Sequence, residues 1–277
     1  MKKVLFALSA GALLAFQSAH AQFYLDASAN GIVDSDVDAL GQDVQQQDYK
    51  FAAGWNFIGF KYKHTVYDFS GNTKWLTHSD QFVIDLHHEG YFSGNDGMGY
   101  FGGIGYGIGF EEDVHMNEAY FIPARVGVSI PLDSTLTGYI GAGANWNQAD
   151  NKYIPIVGVK IGDPRDNGWH GGIAYPYTKI AYRFNPQWQV EARYDAVKEV
   201  TQLRDRSPLS QGGYLLEESS SAGLQITWNP ISTLSLYAGG KYFFDRDYDV
   251  YDQGGNCIYS TSVDEALGGY VGARFDY

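Results

Sequence analysis

The chain has 277 residues, with 19 lysines and arginines against 32 aspartates and glutamates and a formal charge of −13. That balance repels a phosphate backbone and rules against a nucleic-acid partner. Glycine is 34 of 277 residues, well above the usual share of about 7 %, and aromatics reach 16 %, a bias toward strands rather than helices.

At the start, Lys2 and Lys3 precede an apolar run over 4–16 and the small-residue ending Ala19-His20-Ala21. This is the pattern of a secretory signal peptide, expected over 1–21 with Gln22 as the mature N-terminus. The apolar run is too short to cross about 30 Å of hydrocarbon as a helix. Removing it takes two lysines and no acids, so 17 bases face 32 acids and the charge becomes −15. Cys257, the single cysteine, permits neither an internal disulfide nor a lipid anchor at the cleavage point. No later apolar stretch approaches about 18 residues, so membrane residence for 22–277 requires a closed barrel.

In chain order, apolar and polar residues alternate in segments near 23–33, 48–57, 59–69, 80–91, 99–111, 118–130, 135–148, 172–184, 187–203, 214–228, 232–245 and 261–277. Short turn signals alternate with long polar loops near 34–47, 70–79, 112–117, 149–171, 204–213 and 246–260. The fold class this predicts is an all-β, antiparallel up-and-down transmembrane barrel of about twelve strands. Segment 153–161 has strand composition inside the longest loop, so fourteen strands, or a hairpin above the membrane, stay open. A soluble β-sandwich is the alternative architecture.

The faces are clearest over 187–196. Trp188, Val190, Ala192, Tyr194 and Ala196 alternate with Gln187, Gln189, Glu191, Arg193 and Asp195, and reversing them would put charge into lipid. Trp55, Phe57, Phe184, Trp188, Trp228 and Tyr277 fall at the ends expected to face the periplasm, as an interfacial girdle requires. In the last strand, Gly272, Phe275 and the terminal Tyr277 resemble the C-terminal assembly signal of Gram-negative outer-membrane barrel proteins, although Tyr replaces the commoner Phe. A looser similarity to poorly characterised outer-membrane barrels covers roughly 203–252, around Gly213-Tyr214-Leu215 and 248–252. These resemblances imply the outer membrane, contact with its lipids and lipopolysaccharide, and the barrel assembly machinery; they name no solute.

Parity places nine basic residues inside: Lys50, Lys61, Lys63, Arg125, Lys179, Arg183, Arg193, Lys241 and Arg274. The inward acids are Asp85, Glu89, Glu111, Glu191, Asp195, Glu217, Asp245 and Asp276. Such a wall fits either a wet pore with a transverse field or an interior closed by ion pairs. The residues expected to line a pore near mid-barrel are Lys61, Lys63, Arg125, Glu191, Arg193 and Lys241. Inward Gly103, Gly105, Gly107 and Gly109 would leave room for a solute, or for loop 149–171 folded inward, or would merely accommodate strand curvature.

Asp85-x-His87-x-Glu89 places three metal-type ligands on one face. Alternate residues lie almost 7 Å apart at about 3.4 Å per residue, so a charge ladder with Lys61 and Lys63 is the better account. His64 and His88 fall on the outer face without an outward serine two residues away, so neither a catalytic site nor a cofactor is expected, and a lipid hydrolase is the weaker alternative. The acidic stretches 34–38 and 245–252 lack the full calcium-loop pattern. The expectation is a monomeric, porin-like narrow channel for small hydrophilic solutes, with a sealed structural or surface-interaction barrel as the rival.

Overall fold

The computed structural model describes residues 23–38, 40–71, 75–93, 97–112 and 114–277. The expected signal peptide and Gln22 lie outside the described residues. Fifteen strands occur among them: β1 Phe23–Val37, β2 Gln42–Trp55, β3 Ile58–Phe69, β4 His78–Tyr91, β5 Gly99–Phe110, β6 Tyr120–Pro131, β7 Leu136–Asn147, β8 Lys152–Ile161, β9 Gly168–Tyr175, β10 Tyr177–Asn185, β11 Trp188–Gln202, β12 Tyr214–Ile231, β13 Leu234–Tyr251, β14 Cys257–Val263 and β15 Ala266–Asp276.

Consecutive strands pair antiparallel from β1 to β13, and β15 pairs with both β13 and β1, which closes the sheet. The far half of β13 pairs with β14 and its near half with β15. Since β1 also meets both, β14 and β15 share one place in the wall, and the barrel has fourteen places. Closure leaves no exposed sheet edge around most of the circumference.

The turns at the end bearing the chain termini are built by short polar side chains. Asn56 takes a positive φ of 51° between β2 and β3, a conformation asparagine tolerates. Asp133 accepts the backbone N–H of Thr135 at 2.7 Å and of Leu136 at 2.8 Å. Asn185 does the same for Gln187 at 2.9 Å and Trp188 at 3.0 Å. Each carboxylate or amide replaces a backbone partner in an Asx turn, which sets the hairpin register locally.

Large apolar side chains stand exposed around the outside, among them Ile84, Ile104, Val126, Ile140, Val157, Val190, Leu224 and Val271. An apolar band on the outer face of a closed barrel has no stable place in water and matches hydrocarbon. Trp55, Phe57, Phe184, Trp188, Trp228 and Tyr277 are exposed near the terminal end, and the rings of Trp188 and Trp228 stack at 6.0 Å. The chain is a transmembrane β-barrel.

The strand count is the fourteen that the sequence left open rather than about twelve. Segment 153–161 belongs to the wall as β8, paired with β7 and β9, and the single strand expected over 172–184 is the hairpin β9–β10, broken at Tyr175-Pro176. Proline there supplies no N–H to continue a ladder. The loops expected over 34–47 and 246–260 are largely strand, because β1, β2 and β13 continue far beyond the membrane. β12 and β13 have 18 residues each, where a membrane crossing needs about 9–11.

One part of the wall is thin. β9 and β10 reach only to Val157 on β8 and Asp195 on β11. Beyond that height no strand among the described residues stands between β8 and β11, and an ion pair at 3.0 Å between Asp150, just before β8, and Lys198 of β11 spans the gap.

Candidate functional site

Inside the wall runs a cavity of about 1610 Å³. At the terminal end it reaches the turn residues Asn56, Pro164, Pro186, Asn229 and Ser232. At the far end its highest lining residues include Gln46, Glu199, Glu217, Arg246 and Tyr248. Among the described far-end connections only Pro176, in the low β9–β10 turn, lines it. The lumen is therefore open toward the termini and closed at the opposite mouth.

The closure is made by the wall itself. The far halves of β11 and β12 lean across the mouth until Gln202 pairs with Phe110 of β5, six places away in the barrel. The Glu111 N–H donates to the Gln202 carbonyl at 2.9 Å. Leu203 and Leu215 pack with Val37, Val44, Tyr67, Phe69, Leu76, Tyr248, Val250 and Val263. On the other side of the hairpin, Val200, Tyr214 and Leu216 pack against Ala149 and Tyr251. Burying these side chains at about 1.5–3 kcal/mol each makes the cap a stable element.

Polar contacts fasten its rim. The Arg204 N–H donates to Glu111 at 3.2 Å, and its guanidinium reaches Glu112 at 3.0 Å. Burial pushes the Glu111 carboxyl up, and Arg204 opposes that shift. Below the apolar layer, Lys63 pairs with Glu199, and Tyr67 donates to Glu217. The Gln46 amide donates to the same carboxylate at 3.1 Å.

This arrangement changes the reading of the inward glycines. A Cβ on Gly107 would meet the Phe121 ring at 2.3 Å, and one on Gly109 would meet the Val200 carbonyl oxygen at 2.3 Å. Those two glycines make room for a ring and for the cap strand. Gly103 and Gly105 do line the lumen. Loop 149–171 is no plug: it is β8, the turn 162–167 and the beginning of β9.

All nine bases expected to point inward line the cavity, and so do the pore-lining candidates Lys61, Lys63, Arg125, Glu191, Arg193 and Lys241. Lys61 faces Asp85 at 3.4 Å, and Lys63 faces Asp48 at 3.5 Å. Arg125 Nε lies 3.4 Å from where a Gly103 Cβ would stand. Glu191 takes Lys179 at 2.5 Å, and Arg193 lies between Glu191 at 3.7 Å and Asp195 at 3.5 Å. Lys241 donates to Asp195 at 2.7 Å. Asp85 also holds the His87 ring at 2.9 Å.

Two inward acids are misplaced by parity alone. Asp245 sits in a bulge with φ 48°, where β13 carries one residue more than β12 between Ser220 and Glu218. The bulge turns Asp245 outward and Arg246 inward, where the guanidinium donates to Ser35 at 2.6 Å and Gln46 at 3.0 Å. Glu111 is buried in the cap, outside the lumen lining. The lining also contains Asp26, Asp48 and Glu199. The last two share the parity of Lys50 and Glu191, so extending the alternation along β2 and β11 finds them.

On the outer face, His64 meets Asp80 at 2.9 Å and His88 stacks on Tyr100 at 5.7 Å. In β15, Gly272 lies in register with Ser28 and Tyr237, and its absent Cβ leaves room for the Tyr237 ring. Phe275 is exposed, and Tyr277 exchanges backbone hydrogen bonds with Phe23 at 2.9 and 3.2 Å.

The protein is thus a membrane-spanning barrel with a charged lumen and one closed mouth. Comparison with protein families gives no match, and comparison with curated proteins gives none. Among solved structures, the chain is similar to an outer-membrane channel from Pseudomonas putida F1, at 7 % identity and a TM-score of 0.47 over 94 % of this chain and 98 % of that one. It is also similar to the KdgM porin, at 7 % identity and a TM-score of 0.38 over 91 % and 99 %. A third likeness is to the Pseudomonas putida toluene transporter TodX, at 9 % identity and a TM-score of 0.33 over 92 % and 90 %. Likenesses this distant say nothing of the solute, and the architecture above rests on the chain's own strand register.

Proposed function

We propose that the mature chain is a monomeric Gram-negative outer-membrane barrel acting as a narrow channel for small hydrophilic solutes, with its termini in the periplasm and its cap on the outer side. The observation that carries this reading is the cavity. A barrel that exists only as a scaffold can fill its interior with side chains, whereas this one keeps about 1610 Å³ of charged space open to one side. The signal-peptide pattern of 1–21 supports export. The strand ending in Gly272, Phe275 and Tyr277 supports recognition by the barrel assembly machinery, and the exposed apolar band supports contact with lipid and lipopolysaccharide.

The cap favours the rival reading, a sealed barrel with a surface role. The two separate in planar bilayers. Refolded protein should show discrete conductance steps that become more frequent when cap contacts are weakened. If neither the wild type nor any cap-weakened variant conducts above background, the channel reading falls.

A further inference from the structure

The strand register aligns lysines and arginines that lie far apart in sequence. Lys160 of β8 is opposite Gly172 of β9, which is opposite Lys179 of β10. Lys179 is opposite Arg193 of β11, then come Gly223 of β12, Lys241 of β13 and Gly268 of β15. One hydrogen-bonded row across neighbouring strands thus reads Lys, Gly, Lys, Arg, Gly, Lys, Gly. All four cations line the lumen.

Neighbouring strands are about 4.8 Å apart, so Lys179 and Arg193 are adjacent rungs and Arg193 and Lys241 stand roughly 10 Å apart. The glycines let long side chains lie along the wall. A Cβ on Gly223 would meet the Lys241 Cγ at 2.8 Å, so the Lys241 stem crosses that rung toward Arg193.

Two acids of β11 compensate this row. Glu191 has 1 % of its side chain exposed and Asp195 has 15 %, while Lys179 keeps 33 % open. The carboxylates hold the cations in place; Lys179 faces the solvent most, while Arg193 at 18 % and Lys241 at 19 % are exposed about as much as Asp195. Two further positive groups flank the row. Lys50 projects from β2 with half its side chain exposed and lies close enough to oppose the charge of Lys241. Arg183, nearer the open mouth, donates to the carbonyls of Pro164 at 2.7 Å and Pro186 at 2.9 Å. Those bonds fix the guanidinium without neutralising it.

Charge is also partitioned between lumen and exterior. The lining contains eleven lysines and arginines and ten aspartates and glutamates, in a chain whose formal charge is −13. Most of the protein's positive charge therefore lies on the inside, where acids nearly balance it, while the excess of negative charge lies on residues that do not line the lumen.

We propose that the row Lys179–Arg193–Lys241, flanked by Lys50 and Arg183, is a binding track for solutes carrying two or more carboxylate or phosphate groups. A multivalent anion engages two rungs at once and moves by exchanging one rung for the next. Spaced sites of moderate strength permit release as well as binding. This solute class deepens the channel reading above and rests on it for transport, although binding can be measured without conduction.

The test titrates citrate, tripolyphosphate and sucrose into the refolded mature barrel in detergent by calorimetry, with folding checked by circular dichroism. Citrate or tripolyphosphate should bind, sucrose should not, and binding should weaken with added KCl through screening. Preference between the two anions would show whether carboxylate or phosphate is the better fit. The pair Lys179→Gln and Lys241→Gln should weaken anion binding about tenfold or more, as expected from losing two charge-assisted contacts, and Arg165→Gln in the exposed turn 162–167 should leave it unchanged.

The salt titration on the wild type needs no variant to fold. Binding no tighter than sucrose, or binding indifferent to salt, overturns the track. Conductance of the wild type and of cap-weakened variants, measured in parallel, separates the two readings: conduction without anion binding removes the track and keeps the channel, whereas anion binding with none of them conducting keeps the track and removes the channel.

Discussion

The cap can be lifted with one methyl group. In Gly109→Ala, the new Cβ would stand 2.3 Å from the Val200 carbonyl oxygen, where ordinary C···O contact is about 3.3 Å. β11 must retreat from β5 by roughly 1 Å, which stretches the 2.9 Å bond between the Glu111 N–H and the Gln202 carbonyl beyond hydrogen-bonding range. The lost bond costs about 1 kcal/mol and the overpacking about 1–3 kcal/mol, so the closed state is destabilised by about 2–4 kcal/mol.

At 1.4 kcal/mol per tenfold, the open-to-closed ratio rises on the order of 10²-fold. Single-channel open probability in planar bilayers measures it. Gly102→Ala is the control, because its Cβ would meet only the Arg125 carbonyl at 3.8 Å. If Gly109→Ala folds, as judged by retarded migration without boiling, and its open probability equals that of the wild type, the cap is not the gate.

Other outcomes follow from the same structure. Leu224→Arg places a charge on the exposed outer face of β12 and should cost about 2–4 kcal/mol in refolding titrations into vesicles. Ser28→Arg on the lumen face should cost far less, and equal costs would reverse the assigned faces. Lys198→Ala removes the cation between Asp150 and Glu218 where the wall is thin; Asp150 keeps Lys152 at 2.7 Å, but the loss at Glu218 should destabilise the barrel by about 3 kcal/mol in urea titration, and a neutral result would show that the bridge carries no load.

In the turn 162–167, Arg165 holds the Asp163 carboxyl down to about 2. A depressed folded value means that the contact contributes fully above the unfolded value of 3.8 and is lost as pH falls toward 2. The Asp163 carboxyl resonance should titrate near 2, rising toward 3.8 in Arg165→Ala, and a wild-type midpoint near 4 would dismiss the pair.

What was legible in the sequence is what local chemistry dictates. A strand's alternation is a property of successive residues, so the two faces of 187–196, the inward bases and the aromatic ends could be read without a fold. Asn56, Asp133 and Asn185 mark turns because their side chains act on the next few residues. Non-local arrangements were not legible. Segment 153–161 has the composition of a strand wherever it stands, and only its pairing with β7 and β9 makes it part of the wall and raises the count from twelve to fourteen.

The bulge at Asp245 inverts the parity of the rest of β13, because one extra residue exchanges the two faces. The meaning of Gly109 depends on a strand nearly a hundred residues away, and the row from Lys160 to Lys241 exists only once register is fixed. Sequence alone determined the two faces within each unbroken strand, since they follow from the period of a strand, but not where a bulge exchanges them. Tertiary structure decided which of those side chains meet one another and that one mouth is shut, because contacts across a barrel depend on registers summed around its whole circumference.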